Sequence, residues 1–106
     1  MPKYKLKTIL DNPKACKIYA YIYKRTTREI FIPYRGYRVI AIGGISSREI
    51  AKELGLPLRT VQYYLKKLVK EGYINRWERR FSPTKRVVRY GVKNIPTTPI
   101  CIVCPE

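Results

Sequence analysis

The sequence predicts an α+β domain of about three helices and two β-hairpins, and three observations carry that expectation. Residues 46–72 show two stretches of helical spacing separated by a Gly-Leu-Pro turn. Residues 73–92 hold two runs rich in β-branched and aromatic side chains on either side of Ser82-Pro83-Thr84. The chain is 106 residues long and 45% hydrophobic, enough for one small core despite a net charge of +16.

The elements follow in order. Asn12-Pro13 reads as an N-cap followed by proline at the first helical position. Ala15, Ile18, Tyr19 and Ile22 then keep helical spacing to about Lys24-Arg25. Tyr19, Tyr21 and Tyr23 alternate as a strand would, but the cap and the length favour the helix. Arg28 to Ile42 reads as two strands around Tyr34-Arg35-Gly36-Tyr37, an extra N-terminal hairpin.

The strongest local signals lie between Ile45 and Gly72. Ser46 and Glu49 have the spacing of a capping box, and Ile45 and Ile50 that of a hydrophobic staple. The short helix presents Ile50, Ala51 and Leu54 and stops at Gly55, a natural left-handed cap. Pro57 stands at or near the start of the next helix, read over 57–71. Leu58, Val61, Leu65 and Leu68 form its apolar stripe, while Arg59, Gln62, Tyr63, Lys66, Lys67 and Lys70 occupy the other face. Of the adjacent Tyr63 and Tyr64, which point about 100° apart on a helix, Tyr64 is the expected core residue and Tyr63 the exposed one. Two short helices joined by a glycine-containing turn, the second amphipathic and basic, make a helix-turn-helix. In the hairpin that follows, Ile74, Trp77, Val88 and Tyr90 are the inward candidates, with either face open to Trp77. Trp77 is expected to anchor the core rather than to serve as a stacking platform.

Charge and missing residue types narrow the function. Lys and Arg number 23 against 7 Asp and Glu. Residues 1–38 and 59–89 each hold ten cations against two acids, whereas 39–58 and the remainder balance. Two basic blocks flanking a neutral segment are not a uniform solubility coat. Like-charge repulsion of this size is most simply kept for a polyanionic partner, nucleic acid before an anionic membrane. The absence of His removes a histidine base, a histidine metal site and a Cys-His pair. Three cysteines do not close a four-ligand zinc site. No enzyme activity, cofactor, metal or small-molecule substrate is expected. A zinc shared across a two-fold axis would use two Cys101-x-x-Cys104 pairs, only half a site per chain. ICIV is expected instead to pack as a short strand or as a tail, with Cys16 bonding one tail cysteine if the host is hyperthermophilic. A single Gln and three Asn are compatible with such a host. The longest uncharged apolar stretch, Val39 to Ile45, is far short of a membrane span of about 20 residues. No apolar run of signal-peptide length follows the basic N-terminus, so a soluble, cytoplasmic protein is expected.

The run SSREIAKELGLPLRTVQYYLKKLVKEGYINR resembles the winged helix-turn-helix of prokaryotic and archaeal transcription regulators. The matching features are Glu49-Ile50-Ala51, Leu54-Gly55-Leu56, Thr60-Val61, Leu65, Leu68 and Gly72-Tyr73-Ile74. The resemblance extends from about Ile45 to Val92 with the wing, and one departure is Pro57-Leu58 where the helix entrance usually carries Ser or Thr. It implies a winged helix-turn-helix over 1–95, with 96–106 as a Pro/Cys-containing tail. It also implies sequence-specific binding of double-stranded DNA as a homodimer over a palindrome. Arg59, Gln62 and Tyr63 would face base edges from the major groove, and Thr60, Lys66 and Lys67 would face phosphates. Arg76, Arg79, Arg80, Lys85 and Arg86 on the wing, 75–91, would lie along the backbone or minor groove. Two other classes fit the composition: a sequence-neutral architectural or replication-associated protein coating nucleic acid, and a winged helix that docks an acidic protein.

Overall fold

The computed structural model describes residues 9–96 and 102–104. A single 3-10 turn, Ile9–Asp11, leads into helix α1 (Pro13–Thr26), which runs directly into the hairpin β1 (Thr27–Ile32) and β2 (Gly36–Ala41). Helices α2 (Ser47–Leu54) and α3 (Leu58–Lys70) follow, then a second hairpin of β3 (Ile74–Ser82) and β4 (Lys85–Val92). Each hairpin is its own two-stranded antiparallel sheet.

Local chemistry sets most boundaries. The Asn12 side chain accepts from the backbone N–H of Lys14 and Ala15, and Pro13 fills the first turn, as the sequence indicates. At the other end of α1, the Thr26 and Thr27 hydroxyls donate back to the carbonyls of Ile22 and Tyr23, so helix passes to strand without a loop. Ser46 Oγ accepts from the Glu49 N–H at 3.3 Å, but only this half of the expected capping box forms. The Glu49 carboxylate turns to Arg25 of α1, 3.4 Å away. The ion pair links the two helices, which a return to the Ser46 N–H would not do. Gly55 closes α2 at φ 64° and ψ 30°. Pro57 is the N-cap of α3 rather than its first residue, and Glu71 its C-cap, so the helix is shorter at both ends than the span 57–71.

The core gathers Ile18 and Ile22 of α1, Ile50 of α2, and Val61, Leu65 and Leu68 of α3, with Ile45, Ile74 and Val92. The stapling residues Ile45 and Ile50 are both buried there. Tyr64 packs against this cluster and receives a hydrogen bond from Asn12 Nδ2 at 3.2 Å. Ile45 and Tyr90 exchange two backbone hydrogen bonds, at 2.9 and 2.8 Å, and so bind the entrance of α2 to β4. Cys16 in α1 is bonded to Cys104, with Cα atoms 5.5 Å apart. The tail is thereby attached to the first helix, as one branch of the cysteine reading anticipates. Cys101 lies outside the described residues, and with it the reading of a Cys101-x-x-Cys104 pair.

The β1–β2 hairpin stands apart from this core. Only Val39 on it is buried, while Phe31, Tyr37 and Ile40 are exposed and Tyr34 sits at the turn with φ 73°. The radius of gyration is 15.5 Å, against about 13 Å for a compact chain of this length.

Candidate nucleic-acid interface

Helix α3 is built to show one face. Val61, Leu65 and Leu68 are buried, and Leu58 is half-buried on the same stripe. Arg59, Gln62, Tyr63, Lys66, Lys67 and Lys70 are all exposed. At 3.6 residues per turn they fall within an arc of about 140° opposite the core. Thr60 lies at the edge of that arc and is half-buried. Tyr63 is 55% exposed, the division of labour with Tyr64 that their rotation predicts. Its ring lies 4.6 Å from Lys67 Nζ, a cation–π contact. Hydrogen bonding to Tyr63, then its charge, holds the Lys67 ammonium above its ordinary value of 10.5. That lysine is therefore a cation throughout the neutral range.

The β3–β4 hairpin has two faces of different chemistry. Its register pairs Ile74 with Val92, Arg76 with Tyr90, Glu78 with Val88 and Arg80 with Arg86. Paired residues share a face, and alternate positions share it along each strand. The pairs named therefore form the inner face, which starts in the core at Ile74 and Val92. Gln62, Lys66 and Val69 of α3 and Arg76 and Tyr90 of the hairpin line a cleft of about 390 Å³ between helix and sheet. Further out, Glu78 stands among three arginines, Arg76 at 3.7 Å, Arg80 at 3.4 Å and Arg86 at 3.6 Å. Lys85 lies at the tip, where its N–H donates to Ser82 Oγ.

The outer face carries Trp77, Arg79, Phe81, Val87 and Arg89. Two expectations change here. Trp77 is not a core anchor: it is 43% exposed, with its ring laid over Gly44 and Gly91. Arg79 stands across the sheet from Arg76, Arg80 and Arg86. Sequence reasoning passed over Phe81 and Arg89. The signal that finds them is parity: with Ile74 inward, residues 75, 77, 79 and 81 must point the other way.

The segment 43–75, which spans α2, α3 and the first residues of β3, matches the family model for winged helix-turn-helix DNA-binding. The fold is a winged helix-turn-helix. No curated protein and no solved structure matches the chain. In this winged helix, α2 and α3 are the helix-turn-helix and β3–β4 is the wing, most of which lies beyond the matched segment. The match supports DNA as a partner. Among the described residues no helix is long and apolar enough to cross a membrane.

Proposed function

We propose that this winged helix reads double-stranded DNA in a sequence-specific way and regulates transcription, with α3 in the major groove. The observation that carries the reading is the shared cleft: Gln62 and Lys66 of α3 and Arg76 on the inner face of the wing border the same opening. Arg59, Gln62 and Tyr63 lie towards the N-terminal half of α3 and are the base-edge residues, Arg suiting guanine and Gln suiting adenine. Thr60, Lys66 and Lys67 hold phosphates, and Arg76, Arg80, Lys85 and Arg86 extend that contact along the backbone or into the minor groove. Arg79 belongs to the other face and is left out of this set.

The same reading includes a homodimer. A two-stranded hairpin is marginal alone in water, and one face of β1–β2 exposes the paired rings of Phe31 and Tyr37 away from the core. A second copy covering these residues would account for them and place two α3 helices on a palindrome.

Selection of the protein on a randomised duplex pool, at moderate salt with nonspecific competitor, tests both parts. An enriched palindrome is the expected result, together with a dimeric mass in solution at micromolar concentration. Binding without enrichment would remove Arg59, Gln62 and Tyr63 as readers. A monomeric mass would remove the dimer.

A further inference from the structure

The outer face of the wing is unused by the duplex reading, and its chemistry is specific. Trp77 and Phe81 expose 43% and 63% of their surfaces there. The Arg79 guanidinium lies 5.8 Å from the Phe81 ring centroid, and Arg89 faces Trp77 across the strand pair. With Val87 these residues line a groove of about 310 Å³. Gly44 and Gly91 form the floor under the indole: a Cβ on either would sit 2.5 Å or 2.7 Å from its ring carbons. Arg89 Nη1 donates to the Gly44 carbonyl at 3.3 Å, fixing that guanidinium beside the ring. Among the described residues neither Arg79 nor Arg89 is paired with a carboxylate, in contrast to the arginines around Glu78.

We propose that this face is a second nucleic-acid site, which takes unpaired bases of a single strand by stacking them on Trp77 and Phe81 while Arg79 and Arg89 hold the flanking phosphates. Exposed aromatic rings interleaved with cations are what a single strand needs: every base has a π-face, and the backbone between bases is anionic. A duplex does not fit the same groove, because its bases already cover each other's faces. The two unpaired arginines and the net charge of +16 favour a polyanion over an apolar protein surface. The site stands on the wing's outer face alone and does not depend on how α3 meets a duplex.

Trp77 is the chain's single tryptophan, so its emission reports this groove and nothing else. The oxidised 106-residue chain is titrated at moderate salt with oligothymidine, oligouridine and a blunt duplex, the single strands about 12 nucleotides long to match one such site. Saturable quenching by a single strand is expected. Phe81→Ala, which leaves the charge intact, weakens single-strand binding at least about fivefold, the low end for one stacked base, and duplex binding by less than twofold. Trp77→Leu, followed with a labelled oligonucleotide, gives the same loss. Preference between the two oligonucleotides decides whether the strand is DNA or RNA. Emission indifferent to both single strands overturns the proposal, as does unchanged single-strand affinity in Phe81→Ala or an equal loss of duplex binding. So does emission that follows protein concentration alone, because the face would then be covered by a second copy.

Discussion

Glu78→Gln is the substitution that asks whether the inner face of the wing lies on DNA. The Glu78 carboxylate is within 3.4–3.7 Å of guanidinium nitrogens of Arg76, Arg80 and Arg86. A phosphate held by any of them at ordinary ion-pair distance would therefore stand about 7 Å from that carboxylate. At the dielectric constant of water two like charges at about 7 Å repel by about 0.6 kcal/mol, close to a threefold change in affinity. One or two such phosphates give a gain of about three- to eightfold in duplex affinity on removing the charge. The gain should shrink as salt rises, because the Debye length falls to about 8 Å at about 0.15 M. The fold should hardly notice: these pairs are solvent-exposed, and exposed pairs are worth about 0–1 kcal/mol each. Anisotropy of a labelled duplex, run at low and moderate salt, measures the change, with a melting curve as control. Equal or weaker duplex affinity at low salt, with an unchanged melting temperature, would refute placing Arg76, Arg80 and Arg86 on phosphates.

Four further outcomes follow from the same surfaces and core. Lys66, Lys67, Arg76, Arg80, Lys85 and Arg86 are the exposed cations assigned to phosphates on α3, the inner wing and its tip. Six phosphate contacts per protomer imply a log–log salt slope of about −5, or about three decades lost between about 50 and 200 mM salt; titration with KCl checks it, and a slope shallower than about −3 would contradict the contact set. The Cys16–Cys104 bond spans a sequence separation of 88, so in the chain-entropy view reduction or Cys104→Ser costs about 4–5 kcal/mol, measured by urea unfolding with and without reductant. Gly44→Ala would set a Cβ 2.5 Å from Trp77 and 2.9 Å from the Arg89 Cβ; a loss of about 1–3 kcal/mol with red-shifted Trp77 emission is expected, and unaltered emission would contradict the floor described above. Burial first, then Tyr23 and Tyr73, raises Tyr19 above its ordinary value of 10.0. The fold therefore favours neutral Tyr19, a contribution complete below pH 10 and lost as pH rises through and beyond it. With no His in the chain, melting temperature should stay level across neutral pH and fall only above about pH 10; an earlier fall would point to another group.

What the sequence made legible was the chemistry that acts over a few residues. Asn12, Ser46 and Gly55 cap their helices through atoms no more than four positions away, and the Tyr63/Tyr64 division needs only the helical rotation. What escaped was set by distant partners. Glu49 is drawn from Ser46 by Arg25, 24 residues away. Which tail cysteine joins Cys16 is a matter of where the chain returns, not of spacing. Trp77 looked like an anchor because large aromatic rings are usually well buried, yet its seat is supplied by Gly44 and Gly91, one of them in another part of the chain. For the interface, residue type and helix phase identified the exposed face of α3 at once. The wing needed the register as well, since arginines stand on both of its faces.

That last point bears on why the aromatic residues of the wing call for a ligand. A two-stranded sheet has no second layer, and here only its base reaches the core, through Ile74, Tyr90 and Val92. Beyond that base both faces meet water, so an apolar side chain there gains little from the fold. On the inner face the sequence largely obeys this logic, with Arg76, Glu78, Arg80 and Arg86 outward of the buried pair and Val88, across from Glu78, the apolar exception. On the outer face it does not, because Trp77 and Phe81 stand where a soluble hairpin would carry polar residues. Folding alone does not require them, and exposed aromatic edges raise the risk of self-association. The cations beside them, Arg79 and Arg89, oppose stacking of two like copies face to face, since the pairing would bring four positive charges together. They do not oppose an anionic strand, and the same charges that repel a second wing would draw it in.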